Sequence, residues 1–209
     1  MSTRGAVGFR YKKQDYVHYN HSDSYPSYLG LSVLNFIQGS SLEELQKIAS
    51  QIVLVSEDET PTVSQIEELE KNHFLNYFTE KDDWYTILRP VQGNLNAYKN
   101  GLKFMIDGKD FLLDSLFCEY AYIINIDTQT LEFYSGFNQK SRSNRGRYAN
   151  KQNLDNNKNF YGVCLISKYP LKDILESKDL EFFIEDMQQK SKQFNSRQEK
   201  ILEKQKKDI

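Results

Sequence analysis

Apolar and polar positions change period several times along the chain, and each change predicts an element. GAVGFRY (5–11) and YVHYN (16–20) are short apolar–aromatic runs separated by KKQD, which predicts an opening β-hairpin. The polar stretch YNHSDSYPS then leaves the strand: Pro26 holds the residue before it extended, and Asp23 and Ser24 favour a turn. Leu29, Val33, Leu34 and Ile37 recur at helical spacing, predicting a helix over 29–38 that Gly39 ends. Ser41-Leu-Glu-Glu44 has the capping-box pattern and opens a second helix, to about Ala49. IVLVS (52–56) reads as a short strand, and Thr62 opens a helix through QIEELEKNHFLNYF. Asp82 and Asp83, before the only tryptophan, read as a helix N-cap with first-turn acids. CEYAYIINI (118–126), the turn DTQT and LEFYSGF (131–137) make the clearest hairpin. Alternation in EYAYIINI is incomplete, which predicts a strand covered on both faces. FYGVCLIS (160–167) is a third strand of that group. From about Leu171 the pattern is helical and very polar, and its few apolar positions predict a projecting helix.

A hairpin, then helices, then further antiparallel strands predict an α+β fold with a largely antiparallel sheet. The expected organisation is a single domain over residues 1–185 followed by a polar helical tail over 186–209. Aromatic residues make up 13% of the chain, so a core can be built although apolar residues reach only 39%. The formal net charge of −2 provides no global field for nucleic acid or membrane, so neither is an expected partner and recognition must rest on a local patch. No apolar run approaches the roughly 20 residues that cross a bilayer. Arg4, Arg10, Lys12 and Lys13 interrupt the start, so no signal peptide is expected, and two cysteines read as free thiols fit a reducing cytoplasm. Cys118 and Cys164 lie in apolar runs without metal or disulfide-framework spacing and are expected as buried thiols. His18, His21 and His73 show no metal-ligand spacing, and there is no P-loop or dinucleotide fingerprint, so no metal or cofactor is expected. His18 shares a strand face with Asn20, and His73, beside Phe74 in a helix, reads as structural.

The densest chemistry is at the start. Counting from a turn at 12–15 pairs Tyr11 with Tyr16 and brings Arg4 opposite Asp23. Arg4 would then offer a forked donor to a carboxylate or phosphate, His21 an acid or base, and Asp23 an orienting carboxylate. Thr3, Asn20, Ser24 and Tyr25 complete a polar site for a small anionic ligand or a protein partner. Ser2, with a free α-amine, would be a nucleophile carrying its own base. The purely structural alternative has Arg4 and Asp23 as an ion pair, Asn20 and Ser24 capping the turn, and Tyr25 and Pro26 covering the core. A second candidate is the stretch 138–159, with six Lys or Arg against one acid. Arg142, Arg145 and Arg147 with Tyr148 have the composition to hold a phosphate backbone and stack a base. One aromatic ring and a negative net charge argue for a solvated loop instead.

STRGAVGFR, YNHSDSYPSYLG and FLLDSLFCEYAYIINIDTQTLEFYSGF together resemble a family of small proteins of bacteriophages and prophages. The likeness covers the first forty residues and roughly 111–137, about a third of the chain. Thr3, Arg4, Gly5, Asn20, Asp23, Ser24, Tyr25, Pro26, Leu29 and Gly30 match its characteristic positions. The resemblance implies a phage or prophage origin and carries no chemistry. The opening hairpin and turn also resemble glutaminase domains of the N-terminal nucleophile type, whose nucleophile is cysteine where this chain has Ser2. The resulting expectation is a non-catalytic, phage-type accessory protein that binds a host or defence component, or a small anionic ligand, at the N-terminal polar site. The alternative is an amide hydrolase using Ser2.

Overall fold

In the computed structural model, which describes residues 3–75, 80–139, 145–151 and 159–207, the first hairpin is tighter than its sequence suggests. Strands β1 (Gly5–Tyr11) and β2 (Gln14–Asn20) pair antiparallel, from Tyr11 opposite Gln14 to Gly5 opposite Asn20. Only Lys12 and Lys13 form the turn, both left-handed at φ 51° and 64°, as two-residue hairpin turns require. Their N–H groups donate to the Asp127 carboxylate at 2.8 and 2.7 Å, so a side chain from another turn holds a conformation that lysine disfavours. Phe9 rather than Tyr11 faces Tyr16, and the whole register moves by two residues.

The second hairpin forms where expected, from β5 (Tyr120–Asn125) and β6 (Thr130–Ser135), with Asn125 opposite Thr130. β7 (Cys164–Pro170) adds antiparallel to β6, a few residues later than its apolar run implies. The two hairpins join through a parallel β1–β5 pair, giving one sheet of order β2-β1-β5-β6-β7. A separate parallel pair joins β3 (Val53–Val55) to β4 (Phe104–Ile106).

The main sheet is buried on both faces, as the incomplete alternation of β5 implies. One face carries Val7, Phe9, Tyr122, Ile124 and Phe133 and packs under the helices. The other carries Ala6, Val17, Ala121, Ile123 and Tyr134 and packs under Leu112, Tyr148 and Val163. The helices are α1 (Leu31–Gln38), α2 (Leu42–Gln51), α3 (Val63–Lys71), α4 (Trp84–Leu88), α5 (Asn96–Lys99), α6 (Leu171–Glu176) and α7 (Glu181–Lys207). Sequence caps are realised. Ser41 Oγ accepts the Glu44 N–H, Thr62 and Gln65 form a capping box, and Asp83 accepts the Thr86 N–H. The helix after Thr62 stops at Lys71, and His73 is left-handed at φ 61°. Cys118 and Cys164 are buried and unbridged.

The C-terminal helix does not project. Phe183, Ile184, Met187, Ser191, Phe194 and Gln198 of α7 are all buried. Ser191 Oγ meets Ser135 Oγ at 3.2 Å, and Gln198 Oε1 accepts the Gln139 N–H at 2.9 Å. α7 therefore docks at least as far as Gln198, and the expected boundary after residue 185 falls inside one continuous helix. The molecule is a single α+β domain. Among the described residues, no helix is long and apolar enough to cross a membrane.

Candidate functional site

The N-terminal polar residues are brought together, and most of them bond one another. The Thr3 carbonyl accepts the Ser24 N–H at 3.2 Å. Asn20 Nδ2 donates to Ser24 Oγ at 2.8 Å and to the Ser22 carbonyl, and the Tyr122 hydroxyl donates to the Ser24 carbonyl at 3.0 Å. Ser24 is fully buried, and a Cβ on Gly5 would lie 2.6 Å from its Oγ. Gly93, at φ 75°, lies so close to Asn20 that a Cβ there would reach 2.1 Å from Oδ1. Thr3, Asn20 and Ser24 thus act as a clasp that fixes the chain between β2 and α1. Asp23 is exposed and left-handed at φ 54°, with its carbonyl accepting the Leu29 N–H. His21 Nδ1 meets the Tyr19 hydroxyl at 3.1 Å, and Tyr25 packs against Tyr28 and Tyr120.

Arg4 does not join them. Its guanidinium lies over the Phe117 ring, 4.9 Å from the centroid, and it forms no ion pair with Asp23. The two-residue turn is the cause: with Gly5 opposite Asn20, the position of Arg4 extrapolates to His21 rather than Asp23. Ser2 and Arg142 lie outside the described residues.

What Arg4 does border is a cleft of about 880 Å³ along β2, the edge strand of the main sheet. This is within the usual range for small-molecule sites, roughly 300–1,000 Å³. Strand alternation sends His18 to the helix-covered face and Tyr19 to the other, so the cleft wraps the sheet edge. Tyr98 of α5 meets the His18 ring edge-on at 5.7 Å, and Phe111 meets Tyr19 edge-on at 5.0 Å. The Gly108 N–H donates to the Val17 carbonyl at 2.7 Å, and a Cβ at 108 would press on His18 Cα at 3.2 Å. Asp107 and Asp110 line the cleft together with Glu57 and Asp58 from the loop after β3, and the parallel β3–β4 pair sets Asp107 beside that loop, its N–H donating to the Val55 carbonyl at 3.0 Å.

His18 is 5% exposed, and its Nε2 has no hydrogen-bond partner among the described residues. Burial lowers its pKa to about 4, so the ring is neutral near pH 7. Five carboxylates line the cleft, Glu57, Asp58, Asp107, Asp110 and Asp114, against the single guanidinium of Arg4. Asp107 is paired with Lys109 at 2.5 Å, while Glu57, Asp58 and Asp110 have no ion pair among the described residues. The sequence offers only part of this site: His18 reads as a strand residue, but the segments that surround it in the cleft, from Leu54 to Asp114, lie 36 to 96 residues further along the chain.

The basic stretch is less available than its composition suggests. Arg147 is paired with Glu132 at 2.6 Å and Asp15 at 3.2 Å, and the Tyr148 hydroxyl donates to Asp15 at 2.6 Å. Glu132 is 0% exposed and also meets Lys168 at 3.1 Å. Burial alone would raise the Glu132 pKa, but Arg147, with hydrogen bonds from Asn125 and Tyr134, reverses this and holds it below the usual range. Arg145 is exposed, with its backbone tied to Leu165 and Cys164. Arg145 and Arg147 therefore do not converge on one phosphate. Among the described residues no group of His, Cys, Asp and Glu is arranged to hold a metal ion. No family model, curated protein or solved structure matches this chain.

Proposed function

We propose that this chain is a ligand-binding protein whose site is the cleft along β2. The observation that carries the reading is His18, a residue that borders a cleft of ligand size and whose buried Nε2 has no partner among the described residues. An unsatisfied buried polar group costs roughly 1–3 kcal/mol, and a ligand that bonds it recovers that loss. The polar turn at residues 20–25 supports the site from behind by fixing the end of β2. The resemblance of the first forty residues to phage and prophage proteins supports an accessory role in the host cytoplasm, with a host or defence component supplying the ligand. An anionic ligand is disfavoured, because it would meet one guanidinium and five carboxylates.

The test is native mass spectrometry after incubation with a bacterial small-molecule extract, on the wild type and on His18→Phe. The wild type is expected to retain a small molecule that the variant retains at least tenfold less. No retained species, together with no shift of the His18 ring resonances, would sink the reading.

One observation favours a second reading, amide hydrolysis by Ser2: Arg4, two residues on, already borders the cleft. Intact mass decides whether Ser2 has a free α-amine. A retained Met1 or an acetylated Ser2 removes this reading, and so does amidase activity that survives Ser2→Ala.

A further inference from the structure

We infer that the ligand of the β2 cleft is an organic cation, an amine- or guanidinium-bearing group carried by a free metabolite or by a basic side chain of a peptide. The inference rests on the cleft being the binding site and adds the chemistry of what enters it.

Three features of the cleft select the same ligand. The first is charge. Glu57, Asp58 and Asp110 are exposed at the rim without ion-pair partners among the described residues, and Asp107 adds a fourth carboxylate that Lys109 only partly neutralises. Among the described residues Arg4 is the one cation in the lining, and it lies over Phe117, while Lys109 and Arg89 contact the lining residues Asp107 and Tyr85. Carboxylates clustered along a cleft focus a negative potential into it and raise the local concentration of cations.

The second is hydrogen-bonding type. Ionised carboxylates are acceptors only, whereas ammonium and guanidinium groups are donors only. His18 fits this division as the Nδ1–H tautomer, whose Nε2 lone pair accepts. A phosphate-bearing ligand would instead set its acceptors among five carboxylates, with Arg4 and the tyrosine hydroxyls as donors.

The third is the wall material. Tyr19, Tyr85, Tyr98 and Phe111 line the cleft, and aromatic faces attract cations. The protein already uses this contact beside the site, where the Arg89 guanidinium lies 5.8 Å from the Tyr85 ring centroid. A ligand cation within the cleft would find aromatic rings along the wall, exposed carboxylates around it and the buried His18 ring among the lining residues.

The experiment titrates the full chain with agmatine, spermidine and the blocked peptide acetyl-Gly-Arg-Gly-amide. N-acetylated spermine analogues without charge and inorganic phosphate serve as controls. Calorimetry and the His18 and tyrosine ring resonances are the readouts. At least one cationic probe is expected to bind and to shift the His18 ring, and the controls are not. Glu57→Gln and Asp110→Asn, both at exposed positions, are each expected to weaken binding by about fivefold, the size of one unit-charge contact near water. Tighter binding of the peptide than of agmatine assigns the cation to a protein side chain, and the reverse assigns it to a free amine. If the small-molecule extract yields a neutral or anionic ligand that needs His18, the cation inference is overturned while the cleft remains the binding site. If neither the extract nor any probe moves the His18 ring, both fail together.

Discussion

At residue 18 the fold buries an imidazole whose Nε2 has no partner among the described residues, although the neighbouring β2 positions are filled by aromatic and aliphatic side chains. A choice of that kind weakens the fold and gains by function. His18→Phe keeps a ring against Tyr98 and removes the unsatisfied nitrogen. It is expected to unfold at higher urea concentration than the wild type, by about 1 kcal/mol or more, while losing ligand. A variant less stable than the wild type would show that the imidazole is bonded in solution after all. The same group sets a pH dependence. Its folded pKa of about 4 lies below the ordinary 6.5, so between these values the unfolded chain binds a proton that the folded chain does not. Stability from His18 is therefore complete above about pH 6.5 and declines as pH falls toward 4, by up to about 3 kcal/mol. Tyr98 stays neutral throughout, because burial raises its pKa, while the cleft acids and Arg4 remain the same in both proteins. The difference in urea midpoint between wild type and His18→Phe, measured at pH 7 and pH 4.5, isolates this contribution: the gap should widen at the lower pH.

At the scale of elements, α7 shows where a hydrophobic pattern stops informing. Phe183, Ile184, Met187 and Phe194 fall on one stripe, but the next inward positions are Ser191 and Gln198, which read as solvent-facing. They are buried because their partners are polar too, Ser135 at the end of β6 and the backbone of Gln139. Hydrogen-bonded packing of this type leaves no apolar trace. Met187, with no exposure, is the test: Met187→Ala should cost about 2–5 kcal/mol, whereas an undocked helix would lose almost nothing. The opening hairpin was legible as an element and not in register, for a related reason. Lys12-Lys13 lacks the Asn or Gly that marks a two-residue turn, and the Asp127 carboxylate that steadies it is 114 residues away in the chain. The second hairpin, the caps at Ser41, Thr62 and Asp83, and the two-sided burial of β5 were legible because each depends on neighbours within a few residues or on strand composition.

At the scale of the whole molecule, the sites that sequence reasoning could not assemble are those built from distant segments. The cleft joins β2, the loop after β3, α4, α5 and the residues after β4. The polar cluster on the sheet face of Val17 and Tyr134 joins Asp15, Glu132, Arg147 and Lys168 in the same way. Composition assigned Arg147 to a solvated basic stretch, whereas the fold uses it as the main counter-charge of a carboxylate with no exposure. The cluster makes a prediction with opposite signs for single and double changes. Arg147→Met leaves Glu132 buried with Lys168 as its remaining cation, and should destabilise the fold by about 3 kcal/mol. Adding Glu132→Leu removes the stranded charge, so the double variant should recover most of that loss. Urea unfolding of the two single variants and the double variant measures the coupling directly. If the loss in the double variant equals the sum of the two single losses, Arg147 and Glu132 do not act as a pair, and the arginine returns to the surface role that its sequence context suggested.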